Sequence, residues 1–120
     1  MHTIFLGTST TLDAPSMRDH FEIDPDHPDG VSRFEQLFGS GYIEPGKFEV
    51  YGAEEYAGFE FNTELFERLL PFNIPNDAAG IIELGGAMCC FYVESASVER
   101  LAADGIQLIG PLTIEKFDYE

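Results

Sequence analysis

Ile81-Ile82-Glu83-Leu84-Gly85-Gly86-Ala87-Met88-Cys89-Cys90-Phe91-Tyr92-Val93 is the stretch that decides the fold. Two β-rich runs flank a Gly-Gly dipeptide, which is a hairpin signal. A hairpin of this kind builds an antiparallel sheet. Cys89 and Cys90 are adjacent, and in a strand they point to opposite faces, which is poor geometry for bonding to each other. They form no Cys-x-x-Cys motif and read as small apolar strand residues.

Upstream, 47–52 and 56–61 have the pattern of a second hairpin. Phe48 and Val50 alternate with Glu49 and Tyr51, and Phe59 and Phe61 flank Glu60. A helix is expected at 31–38, where Val31, Phe34, Leu37 and Phe38 recur at helical spacing. Asp29 or Ser32 can cap it, Glu35 completes a capping box to Ser32, and Gly39 stops it. A second helix is expected at 63–70. Asn62 or Thr63 caps it, and Leu65, Phe66, Leu69 and Leu70 line one face. Pro71 lies just past its end.

Downstream, a third helix is expected at about 96–104. It starts after Ser95 or Ser97, ends at Gly105, and has Val98 and Leu101 as its inner face. Residues 106–109 and 112–117 read as two strand-like segments parted by Pro111. At the other end, 3–7 reads as a buried first strand. Residues 8–30 show little periodicity and hold three prolines, so they read as a long loop. The order β–α–β–β–α–β–β–α–β–(β) predicts an α+β domain with a mainly antiparallel sheet and about three short helices packed on one face.

The 120 residues fit a single domain spanning 1–120, because halves would be too small to hold a core. Hydrophobic residues make up 44% of the chain, enough to fold, so its acidity is no sign of disorder. No apolar run approaches the ~18–20 residues that span a bilayer. The start, Met1 to Gly7, has no basic leader, and a cytoplasmic location is expected.

Charge is the unusual feature. Twenty-two acidic residues stand against 6 basic ones, a formal net charge of −16. Solubility of a small domain asks for a magnitude of about 2–8. Surfaces of salt-adapted proteins carry acid everywhere, whereas here it is bunched. Asp13, Asp19, Glu22, Asp24, Asp26 and Asp29 face only Arg18 within 13–29. Glu44, Glu49, Glu54, Glu55, Glu60, Glu64 and Glu67 face only Lys47 within 44–67. Alternate strand residues stand ~6.6 Å apart at a rise of ~3.3 Å per residue. Helical i,i+3 pairs such as Glu64 and Glu67 stand ~5–6 Å apart. Both spacings are close to that of neighbouring phosphates on a nucleic-acid strand.

Catalytic chemistry has little support. There is no Gly-x-Ser-x-Gly elbow, no P-loop follows Gly85-Gly86, and His2, His20 and His27 sit in the terminus and the long loop. Asp24-Pro25-Asp26-His27-Pro28-Asp29-Gly30 departs from a calcium loop, since Pro28 stands where an oxygen ligand belongs and Asp29 where Gly belongs. No cofactor or metal is expected, and the domain reads as a binder. It should avoid bare nucleic acid and anionic membrane and seek a basic protein surface. Two readings stay open. One is a DNA mimic blocking a bacterial defence effector, of the anti-CRISPR or anti-restriction type made by phages. The alternative is an immunity protein neutralising a basic nuclease toxin; a small metal-binding protein or enzyme stands behind both. A mimic spreads carboxylates along a ridge, and an immunity protein gathers them round an apolar hot spot. Tyr42, Tyr51 and Tyr56 are candidate aromatic anchors.

Overall fold

The computed structural model describes residues 1–75 and 86–120. Its strands are β1 (His2–Ser9), β2 (Phe48–Gly52), β3 (Cys89–Glu94), β4 (Ala102–Ala103) and β5 (Ile106–Ile114). They form one antiparallel sheet in the order β2-β3-β1-β5-β4. The helices are α1 (Ala14–Asp19), α2 (Arg33–Phe38) and α3 (Thr63–Leu69). The chain is thus an α+β fold with a mainly antiparallel sheet.

Both faces of the sheet are covered. Phe5, Val50, Phe91 and Leu108 point to one core, which α1 and α2 complete with Met17, Phe34 and Phe38. Ile4, Tyr51, Tyr92 and Ile114 point to the other, which α3 and the C-terminal segment close with Phe66 and Phe117. The expected packing of the helices on one face is therefore divided, two on one side and the third on the other. This explains the unbroken apolar run of β3. Cys89, Cys90, Phe91, Tyr92 and Val93 are all buried because the strand is covered on both sides. Cys89 joins the first core and Cys90 the second, as strand alternation requires. Burial pushes the Cys89 thiol up to about 11 and raises that of Cys90 as well.

The caps of the expected helices resolve cleanly. Ser32 Oγ accepts the Glu35 N–H, and Gly39 ends α2 in the left-handed region at φ 62°. The capping box is not closed, because the buried Glu35 carboxylate turns to the Ile43 N–H instead. Asn62 caps α3 through the Leu65 N–H.

Four expectations are corrected. The long loop over 8–30 contains the end of β1 and all of α1. Asp13 caps α1 through the Ser16 N–H, and Pro15 sits in its first turn. The rest of that loop is held by backbone bonds, among them Asp24 N–H to the Val31 carbonyl. Residues 56–61 are not a strand. Ala53–Tyr56 is a 3-10 turn, and the strand beside β2 is β3.

The helix expected at 96–104 is also absent. Leu101 is 47% exposed, and β4 turns into β5 through Asp104 and Gly105, at φ 53° and 77°. That Asp-Gly pair makes a two-residue hairpin of the type that needs positive φ at both positions. Lastly, 106–109 and 112–117 are not two segments. β5 runs on to Ile114 with Gly110 and Pro111, joined by a cis bond, bulging opposite Phe5. The first run of the expected 81–93 hairpin lies outside the described residues.

Candidate partner-binding surface

Among the described residues β2 is an edge strand, and its register places Phe48, Val50 and Gly52 with their backbone groups turned away from β3. Two of those outward groups are filled by side chains. Arg18 Nη2 donates to the Val50 carbonyl at 2.8 Å, and Glu55 Oε1 accepts the Gly52 N–H at 2.9 Å. The two side chains meet at 2.7 Å. This fills two of the outward groups and opposes the addition of a further strand at that end of β2. The guanidinium beside Glu55 holds its carboxyl below the usual range.

Around this edge the two acidic runs meet. Asp13 at the start of α1 and Glu54 and Glu55 after β2 border one hollow of about 210 Å³. Its walls are apolar, formed by Ala14, Pro15, Ala53, Ala87 and Met88. α1 approaches β2 so closely that a Cβ on Gly52 would stand 2.6 Å from that of Ala14. The hydrogen bond from the Ser16 backbone lowers the Asp13 pKa.

The remaining acids run outward from there. Asp19 and Glu22 follow on and after α1, and Asp24, Asp26 and Asp29 lie in the loop leading to α2. Glu44 precedes β2, Glu49 lies on it, and Glu60, Glu64 and Glu67 accompany α3 on the opposite face. The thirteen do not share one flat face. They make an acidic strip only in following the chain over elements of both faces, from α1 on one, through β2, to α3 on the other.

Four of them have structural work. Asp13 caps α1, Asp24 Oδ1 accepts the Asp26 N–H, Glu49 accepts the Tyr51 hydroxyl, and Glu55 seals the edge. The other nine carry no side-chain hydrogen bond or ion pair among the described residues, and all nine are exposed. The acid does not end with the strip, since Glu99, Asp104, Glu115, Asp118 and Glu120 are also exposed.

Of the three tyrosines considered as anchors, only Tyr42 stands out, at 66% exposed. Tyr51 is buried in the second core with its hydroxyl on Glu49 and the Leu69 carbonyl, and burial raises its pKa. Tyr56 is half-buried against the same core. Phe59 is a better candidate that the sequence reading assigned to a strand. It is 66% exposed between Glu55 and Glu60. The apolar hollow was also not foreseen, because its walls come from three separate segments.

The histidines have local partners. His2 lies between Glu94 and Glu120, His20 bonds the Ser16 carbonyl and Asp104, and His27 accepts the Asp29 N–H. Among the described residues, no group of three or more His, Cys, Asp or Glu is placed to hold a metal. No helix among them is long and apolar enough to cross a membrane. No family model matches the chain, and no curated protein or solved structure matches it.

Proposed function

We propose that this domain is a small acidic inhibitor that occupies a basic, nucleic-acid-binding surface of another protein, acting in the cytoplasm. The observation that carries the reading is the strip of nine unpaired, exposed carboxylates on a rigid frame, in a chain of net charge −16. Asp19, Glu64 and Glu67 stand on helices and Glu54 on the 3-10 turn, so these carboxylates lose little freedom on binding. Lys and Arg side chains that hold phosphates would find oxyanions at a similar interval on α3, in Glu64 and Glu67. The acids lie on elements of both faces of the sheet, which suits a cleft that closes round a duplex. In this reading the target is a DNA-binding effector of bacterial defence, and the inhibitor excludes DNA by mimicry.

The apolar hollow favours a second reading, an immunity protein for a basic nuclease. There the carboxylates gather round one anchor point. Charge reversal separates the two. Glu60→Lys with Glu64→Lys, neither of which lines the hollow, weakens a mimic strongly and an immunity protein little. Both positions are free of structural bonds, unlike Glu55 and Asp24, so reversal there leaves the fold intact. An effector bound equally well by the wild type and this double variant would contradict mimicry.

A further inference from the structure

We infer that the hollow between α1 and the turn after β2 is a socket for one arginine side chain of a protein partner. The inference rests on the reading of the acidic strip as a partner-binding surface and names the anchor within it. At about 210 Å³ the hollow is below the ~300–1,000 Å³ of small-molecule pockets and is of side-chain size. Its apolar walls suit a methylene stem, while the cationic head stays at the rim.

The rim fits a guanidinium. Asp13 uses Oδ1 for the Ser16 N–H, and Glu55 uses Oε1 for Gly52 and Arg18, so each keeps a second oxygen. Glu54 keeps both. Three carboxylates against the one guanidinium of Arg18 leave an excess of two negative charges. Arginine presents five donors in a planar fork and meets several carboxylate oxygens at once. Four free oxygens exceed the three donors of a lysine ammonium but not the five of a guanidinium. The cap on Asp13 and the two bonds on Glu55 hold these acceptors in place before a partner arrives.

The test uses the whole protein with methyl-labelled Met and Ala, titrated by NMR with N-butylguanidinium, n-butylammonium and guanidinium. The expected result is a saturable shift of the Met88, Ala14 and Ala53 methyls with N-butylguanidinium. The other two cations should bind at least about threefold more weakly. Glu54→Gln, which breaks no internal bond, should weaken N-butylguanidinium by about threefold to tenfold. Ala53→Leu, which fills the hollow, should abolish the shift. Unmoved hollow methyls, or n-butylammonium binding as tightly, would overturn the arginine socket. The probes do not involve the effector, so an empty hollow in a protein that still captures a DNA-competed effector refutes the socket alone.

Discussion

Arg18 and Glu55 meet at 2.7 Å across the outer edge of β2, and each also fills a backbone group of that strand. One residue comes from α1 and the other from the turn after β2. The pair therefore ties the helix to the sheet and blocks the edge where a second chain could add a strand. On the opposite side the two-residue β4 covers only the start of β5, which the Gly110-Pro111 bulge then interrupts.

Removing the pair should expose that edge. Both side chains are about two-fifths exposed, so the ion pair itself contributes little. Arg18→Ala is expected to cost about 0.5–1.5 kcal/mol, mostly through the lost bond to Val50. The more telling result is self-association. Light scattering should detect more dimer or aggregate in Arg18→Ala than in Arg33→Ala, which removes the same charge elsewhere. Equal behaviour would mean that the edge is protected by the overall charge alone.

Gly7 lies opposite Phe91 in the central strands, and a Cβ there would fall within the Phe91 ring. Gly7→Ala should therefore destabilise the fold by about 1–3 kcal/mol through overpacking. Urea denaturation should show a lower midpoint with an unchanged slope. A neutral substitution would mean that Phe91 can move aside without disturbing Phe21 and Phe34, which it meets edge-on.

Alkali should unfold the protein earlier than its carboxylates alone suggest. Cys89 has its pKa raised by burial from 9.0 to about 11, and Tyr92 from 10.0 to about 12. Tyr51 and Cys90 are raised in the same direction. Between pH 9 and 11 the unfolded thiol of Cys89 has lost its proton while the folded one keeps it. The folded state binds more protons there, so stability falls as pH rises. Denaturation midpoints should be flat from pH 7 to 8 and decline from about pH 9 upward. In Cys89→Ala the decline between pH 9 and 11 should be shallower. An identical slope would show that the tyrosines and Cys90 carry the effect.

Neutralising the free acids should cost no stability. Glu54, Glu60, Glu64 and Glu67 make no side-chain bond among the described residues. Replacing all four by Gln should raise the melting temperature at low salt, because it reduces self-repulsion. The gain should vanish at high salt, where repulsion is already screened. A loss of stability would show that these residues support the fold.

The fold class was legible because its main signals are local. The Gly39 stop, the Ser32 and Asn62 caps and the apolar run of β3 each follow from residues close in sequence. α1 escaped notice although Asp13 and Pro15 mark its start, because a six-residue helix offers too few apolar repeats to stand out among the acids around it. The Asp104-Gly105 turn is itself a strong hairpin signal. It was masked by the helix-like spacing of Val98 and Leu101, of which Val98 packs against the first core while Leu101 stands exposed. The alternation over 56–61 does not say which segment pairs with β2, and that neighbour is β3, with Arg18, 32 residues before Val50, on the outer side. The acidic runs were plain in the sequence. Which of their members are free, and that Asp13 meets Glu54 and Glu55 round an apolar hollow, required the fold.

The central claim is that the acidic strip occupies a site built for nucleic acid. The most direct measurement is affinity capture with the tagged protein from bacterial lysates carrying CRISPR–Cas and restriction systems. Retained proteins would be identified, then challenged with salt and with duplex DNA. The account predicts a nucleic-acid-binding effector that is released steeply by salt, displaced by its own DNA, and lost when Glu60 and Glu64 become Lys. Capture of nothing salt-sensitive, or of a partner that DNA cannot displace, would contradict it.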